Sequence, residues 1–396
     1  MDFRRQQYNT ILNRLKEDRH CIQVIVGPRQ IGKSTIVSQV LEKIDISYTF
    51  QTADNVTNTD NNWIETIWED SRLKMNFSNS KEYLIVIDEI QKIANWSEAV
   101  KKQWDQDTRE KRNIKVLILG SSRILIMKGL TESLAGRYEL IRMGHWTYKE
   151  MHDAFGWNLQ QYIYFGGYPG CANMIEDETR WRNYVKDSLI ESAISKDAIM
   201  TSTIHKPALL RQLFELGCGY SSKLLSLNKM LGQLTDAGNV TTLSNYLQLL
   251  EECNLLCGLK KYAVDEARKY NSIPKYQVYN PALHTVYAGQ SFEQAITDSK
   301  KWGCWVENAI GAHLVNNADI YDYNVYYWRE RDDEVDFVID HNGITVAIEV
   351  KSGHRTTNKG LGIFREKYNP HRAFVVGSEG LSVEDFLSAD LSILFR

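Results

Sequence analysis

Three groups of residues in this chain have the types and spacing for chemistry. The first is Gly27-Pro28-Arg29-Gln30-Ile31-Gly32-Lys33-Ser34-Thr35. Glycines at both ends of a G-x-x-x-x-G-K-S run let the backbone curl so that successive N–H groups point inward at an anion. Lys33 is then placed to bridge β- and γ-phosphate oxygens. The Ser34 hydroxyl can ligate Mg²⁺, and Thr35 lies nearer the α-phosphate. The loop needs a strand before it and a helix after it. Val24-Ile25-Val26 supplies the first, and the amphipathic Ile36, Val37, Val40 and Leu41 supply the second. The run therefore reads as a nucleotide site rather than a chance glycine turn.

The second group lies at the ends of later apolar runs. Tyr83-Leu84-Ile85-Val86-Ile87-Asp88-Glu89 is a buried strand ending in two carboxylates. Asp88 can hold the Mg²⁺ shell, and Glu89 can polarise a water for attack on a γ-phosphate. Val116-Leu117-Ile118-Leu119-Gly120 ends in Ser121-Ser122. Either hydroxyl could sense the γ-phosphate if this strand lies beside the phosphate-loop strand. A serine there is as readily the cap of the next helix, and both readings stay open. Arg137, between a short helix and a strand at Glu139–Arg142, could reach a neighbouring subunit's γ-phosphate, although a lone arginine is more usually a solvated charge.

The third group is C-terminal. Asp336 and Glu349-Val350-Lys351 lie in two alternating runs separated by His341-Asn342-Gly343, a hairpin signal. Glu349 and Lys351 are two apart on one strand and share a face. Asp336 and Glu349 would hold Mg²⁺ or Mn²⁺, Lys351 would assist the attacking water, and Glu307 on an upstream helix could complete the shell. An E-x-K triplet alone is more often a surface ion pair.

These residues need a particular scaffold. The spacing predicts a lead-in helix over 5–17, strands at Cys21–Val26 and Ile46–Phe50, and helices over 33–43 and 60–74, with another around Trp96, Val100 and Trp104. A long helical pattern from Glu178 to Ile199 follows a Gly166-Gly167-Tyr168-Pro169 bend. Three helices and a strand pair between Pro207 and Tyr279 have the order of a winged helix. The would-be reading helix, Thr241–Glu252, has no Lys or Arg, which favours a packing role.

At 396 residues the chain is long enough for two or three domains, at about 150 residues each. A net charge of −3 means that nucleic-acid contact would have to come from a local basic patch. The six cysteines are scattered, so neither zinc nor a disulfide is expected. No apolar run suits a membrane or a signal peptide, so the expected location is cytoplasmic, with no membrane partner.

Together Gly27–Ser34, Asp88-Glu89-Ile90-Gln91, Gly120-Ser121-Ser122 and Ser133-Leu134-Ala135-Gly136-Arg137 resemble the prokaryotic AAA-superfamily ATPases that carry a C-terminal restriction-endonuclease-like domain. The resemblance spans nearly the whole chain. It implies ATP and Mg²⁺ at Lys33, Ser34, Asp88 and Glu89, a phosphate sensor at Ser121 or Ser122, and an arginine finger at Arg137 acting within a homo-oligomer. Arg123 departs from the pattern and competes for that role. Glu307, Asp336, Glu349 and Lys351 resemble the PD-(D/E)xK superfamily. The fold expected is α/β: a P-loop NTPase (AAA-like) parallel sheet over 1–145, a helical lid with a winged-helix-like segment over 146–290, and a restriction-endonuclease-like α/β domain over 291–396. Two functions fit. In one, ATP hydrolysis is coupled to DNA binding or cleavage. In the other, an ATP-dependent switch acts on a protein partner through a catalytically silent nuclease-like module.

Overall fold

The computed structural model describes residues 3–56, 62–199, 204–235, 238–265, 272–351, 359–378 and 380–396. The chain divides into two compact units, Met1–Gly144 and His145–Arg396.

The first unit is built on a five-stranded sheet. Its strands are β1 (Ile22–Val26), β2 (Tyr48–Thr52), β3 (Tyr83–Asp88), β4 (Ile114–Gly120) and β5 (Tyr138–Arg142), in the order β2-β3-β4-β1-β5. Every pairing is parallel. The continuous apolar runs are explained by burial on both sheet faces: β1, β3 and β4 are buried along their whole length. Alternate residues of these strands (Ile22, Val24, Ile85, Ile87, Val116, Ile118) pack with Trp68, Trp96 and Ile126 into one cluster.

The helices are α1 (Tyr8–Lys16), α2 (Lys33–Leu41), α3 (Asn62–Phe77), α4 (Trp96–Arg109) and α5 (Arg123–Ser133). Here α1 packs on α2, while α3, α4 and α5 pack side by side. Residues 60 and 61 of the expected 60–74 helix lie outside the described residues. The second strand begins at Tyr48 rather than Ile46. It is an edge strand with only Thr49 buried, so its position is set by pairing with β3 (Tyr48 with Leu84) rather than by an apolar run.

The second unit contains a six-stranded sheet. Its strands are β6 (Leu256–Lys261), β7 (Lys275–Val278), β8 (Asn324–Glu330), β9 (Asp333–His341), β10 (Ile344–Lys351) and β11 (Arg372–Gly377), in the order β11-β10-β9-β8-β6-β7. Helices at Pro207–Gly219, Leu227–Leu231 and Val240–Glu252 precede the antiparallel β6–β7 ribbon, in the winged-helix order. The ribbon does not stand alone, because β6 also pairs in parallel with β8 through Lys260 and Tyr326. The Val240–Glu252 helix buries Leu243, Tyr246, Leu247 and Leu250.

The β9–β10 hairpin turns on Asn342 (φ 50°) and Gly343 (φ 86°), both left-handed as a two-residue turn requires. At the Gly-Gly-Tyr-Pro bend, Gly166 has φ 72°, and a Cβ there would come within 2.1 Å of Asn280 Oδ1. Glycine permits that close approach. The pattern from Glu178 is α-helical only over Glu178–Asn183 and Glu191–Ala193, with π-helical turns at Tyr184–Ile190 and Ile194–Ile199. No helix of the described residues is long and apolar enough to cross a membrane.

Candidate functional site

The loop 27–35 joins the C-terminal end of β1 to the first residue of α2, Lys33. Gly32 (φ 89°) and Gln30 (φ 57°) are left-handed. A Cβ on Gly27 would fall 2.2 Å from Met143 O, so only glycine fits beside that carbonyl. Lys33 is nearly buried and donates from Nζ to Gly27 O (2.9 Å) and Pro28 O (2.7 Å). Its ammonium therefore sits over the loop's own carbonyls. Arg5, which the motif could not announce, braces the loop from outside. Its Nη1 donates to Ile31 O at 3.3 Å and Gly144 O at 3.1 Å. The lead-in segment thus has a role besides packing.

Sheet order decides what meets the loop. Because β4 lies between β1 and β3, the residues ending β4 are flanked by the phosphate loop on one side and Asp88-Glu89 on the other. Ser34 Oγ donates to Asp88 Oδ2 at 2.7 Å, and Glu89 N donates to Asp88 Oδ1 at 2.9 Å. Burial pushes the Asp88 carboxyl up; the Ser34 hydrogen bond opposes this and the charge of Glu89 reinforces it. A hydroxyl and a desolvated carboxylate at this mouth suit a hard divalent cation, which would supply the missing positive charge. Glu89 is left-handed (φ 55°), and its Oε2 accepts from Gln91 Nε2 (2.7 Å) and Ser121 Oγ (2.9 Å). Ser121 and Glu89 therefore meet at one point. Ser122 occupies the N-cap of α5 without capping it, and its hydroxyl is buried with no hydrogen-bond partner among the described residues.

Arg137 is at the other end. It immediately precedes β5, whose first residue pairs with the start of β1, so roughly 16 Å of strand separates it from this loop. Its guanidinium makes a two-pronged ion pair with Asp105 at 2.8 and 3.2 Å. Arg123, the first residue of α5, lies at the loop end.

In the second unit the four expected residues come together, with a fifth that the motif did not predict. Lys275, from the all-buried strand β7, places Nζ 2.6 Å from Glu307 Oε1 and 3.7 Å from Asp336 Oδ1, and donates to Asp336 O at 3.0 Å. Asp336 Oδ2 accepts from Val350 N at 2.7 Å, and Lys351 Nζ lies 2.5 Å from Glu349 Oε1. Lys275 opens the short strand Lys275-Tyr276-Gln277-Val278, whose pattern carries no signal for a buried ammonium. Burial opposes the charge on Lys275, but Glu307 and Asp336 outweigh it and hold its pKa above the ordinary lysine value. Among the described residues no three of His, Cys, Asp and Glu are arranged to hold a metal ion. An ammonium thus stands near two of the three carboxylates on which spacing alone placed a divalent cation.

Burial also pushes Glu349 up to about 7, with Asp336 reinforcing and Lys351 opposing, and pushes Glu307 up to about 7 against the pull of Lys275. Such a carboxyl binds its proton more tightly folded than unfolded. Its stabilisation is complete below the unfolded pKa of about 4.3 and is lost as pH rises through 7. Melting curves at pH 5.5 and 8 should show the wild type gaining about 1–2 kcal/mol more on acidification than Glu349→Gln. Equal gains would mean that Glu349 is ionised throughout.

Comparison with known proteins agrees with this geometry in the first unit. Residues 19–152 match the model of an AAA domain, and the fold there is that of a P-loop ATPase. Residues 156–294 match a domain of unknown function (DUF8612), and residues 302–386 match another (DUF4143). An uncharacterized protein of Mycobacterium tuberculosis is 26% identical over 347 residues, covering 85% of this chain and 72% of its own length. An uncharacterized protein of Methanocaldococcus jannaschii is 22% identical over 343 residues, 80% of this chain and 72% of its own length. Among solved structures, a Walker-type ATPase of Pyrococcus abyssi superposes with a TM-score of 0.50 at 14% identity, covering 72% of this chain and 96% of that one.

Proposed function

We propose that this chain binds Mg·ATP on residues 27–35 and hydrolyses it. The observation carrying the reading is the linked set at the loop mouth: Ser34 to Asp88 at 2.7 Å, and Ser121 to Glu89 at 2.9 Å. Ser34 and Asp88 would hold the Mg²⁺, which when bound neutralises charge on the phosphate oxygens. Lys33 exchanges its loop carbonyls for β- and γ-phosphate oxygens. Glu89 orients the water and takes its proton, and Ser121, hydrogen-bonded to Glu89, reports whether a γ-phosphate is present; Ser122 is the alternative sensor. Arg137 is too far along the sheet to serve its own loop, so it acts on a neighbouring subunit after leaving Asp105, and the active form is a homo-oligomer. The working division is 1–145, 146–290 and 291–396, with the β6–β7 ribbon of the middle segment joined through β8 to the sheet of the last one.

For the C-terminal residues we favour the second reading, a catalytically silent nuclease-like binding module. Lys275 supports it, since its ammonium takes the place between Glu307 and Asp336 that a metal would need.

Titration with a fluorescent ATP analogue tests the nucleotide site. Lys33→Ala should weaken binding by at least about 100-fold, as loss of a charge-assisted bond to phosphate implies. Arg137→Ala should bind normally but turn over poorly, and mixing it with Lys33→Ala should restore hydrolysis. The first variant supplies a competent loop and the second the missing arginine. Wild-type affinity in Lys33→Ala would overturn the site, and wild-type turnover in Arg137→Ala alone would retire the finger.

A further inference from the structure

We propose that a basic, aromatic-lined groove in the second unit binds single-stranded nucleic acid. The groove has a volume of about 820 Å³ and is formed by segments far apart in sequence. Lys229 reaches it from the Leu227–Leu231 helix, Lys261 from the end of β6, Arg329 and Arg331 from β8 and the turn after it, and Lys367 from the helix Lys359–Tyr368. Against these five cations the lining holds one acid, Glu330. In a chain of net charge −3, that concentration of positive charge is a local reversal.

The cations are only partly neutralised. Lys367 pairs with Glu330 at 2.5 Å, and Arg329 stands 4.0 Å from Glu334. Among the described residues Lys229, Lys261 and Arg331 have no ion-pair partner within 4.0 Å; the charge of Glu330 reaches Lys261 and Arg331 through space, but one carboxylate, already paired with Lys367, is set against all of them. Arg331 is held at φ 56°, a left-handed backbone that a non-glycine residue adopts at some cost.

The aromatic lining narrows the class of ligand. Tyr262 and Tyr368 are half-buried, meet edge to face with ring centroids 5.3 Å apart, and belong to the same lining as the cations. A concave groove with cations around aromatic rings suits unstacked bases, whose faces stack on the rings while the backbone follows the charges. A duplex hides its base faces and presents a convex backbone, which this shape does not match. The inference deepens the reading of this unit as a binding module and is independent of the silent carboxylate set and of ATP turnover.

The test is fluorescence anisotropy with labelled oligothymidylate on the full chain, without ATP, against a duplex of equal length and with poly-L-glutamate as competitor. The wild type should bind the single strand at least tenfold more tightly than the duplex, and affinity should fall as salt rises. The double variant Lys261→Gln, Arg331→Gln alters exposed or half-exposed positions. It should lose at least tenfold in affinity and flatten the salt slope by about 1.4, near 0.7 for each cation removed. Its melting temperature checks that it has folded. Absence of binding at low salt, equal affinity for the duplex, or unchanged affinity in the double variant would each overturn the proposal. Displacement by poly-L-glutamate at equal charge concentration would also overturn it and indicate an acidic protein partner instead. Because Lys33→Ala does not touch the groove, it should still bind the strand. Failure of the groove and failure of the ATP site are therefore read separately.

Discussion

Glu89→Gln is expected to lower ATP turnover about 10²–10⁴-fold, the usual contribution of a positioned general base, while leaving ATP affinity within about twofold of wild type. The backbone fixes where the side chain points. Glu89 is left-handed at φ 55°, its N–H donates to Asp88 Oδ1, and its carbonyl accepts from Lys92 N at 3.0 Å. A conformation that costs about 1 kcal/mol or more persists at such a place only because its surroundings over-determine it. An amide at this position can still accept from Gln91 and Ser121 through its oxygen, so the variant keeps the geometry and loses only basicity. Lys33, Ser34 and Asp88 are untouched, which is why binding should survive. Single-turnover hydrolysis alongside equilibrium nucleotide binding separates the two effects. Undiminished turnover would transfer the water-activating role to another group. Equal loss of binding and turnover would show that the substitution had disturbed the Asp88 hydrogen bonds instead.

The first unit was legible because its chemistry is local in sequence. The Gly27–Thr35 loop, the Asp88-Glu89 pair and the serines after β4 each sit at the end of an apolar run, and a parallel sheet brings the ends of such runs to one edge. What sequence could not show was neighbourhood. That β4 separates β1 from β3, so that Ser121 meets Glu89, depends on strand order, and no periodicity encodes strand order. Arg5 was invisible for a similar reason: its partner carbonyls at Ile31 and Gly144 carry no side-chain signature. The position of Arg137, at the sheet edge away from the loop, follows from its place before rather than after a parallel strand. The β9–β10 hairpin was legible through Asn342-Gly343, and with it the meeting of Asp336 and Glu349. The edge strand β2 was not, since its position is set by pairing with β3 rather than by an apolar run, and the helical period from Glu178 gave no sign of the π-helical turns after Asn183.

Lys275→Met should destabilise the second unit by about 3–5 kcal/mol, the cost of stripping one partner from a buried ion-pair set. For a unit of this size that corresponds to a fall in melting temperature of roughly 10 °C. The ammonium has two carboxylates and a backbone carbonyl of Asp336 around it and lies 4.7 Å from the centre of the Phe337 ring. Methionine would fill the space, leaving Glu307 and Asp336 facing each other with no cation between them. Proton uptake is one way to relieve that repulsion, so the loss should shrink on acidification. A divalent cation is the other. Millimolar Mn²⁺ should therefore raise the melting temperature of Lys275→Met and leave the wild type unchanged. That contrast decides between the two readings of the C-terminal set, because a lysine that occupies a metal's place must be removed before a metal can enter. If the wild type itself is stabilised by Mn²⁺, and it cuts DNA in a way that Glu349→Gln abolishes, Lys275 is a neighbour of a working nuclease site and the silent module falls. A Lys275→Met protein that melts with the wild type and ignores Mn²⁺ would show that neither ammonium nor metal holds these carboxylates together, and that they are protonated instead.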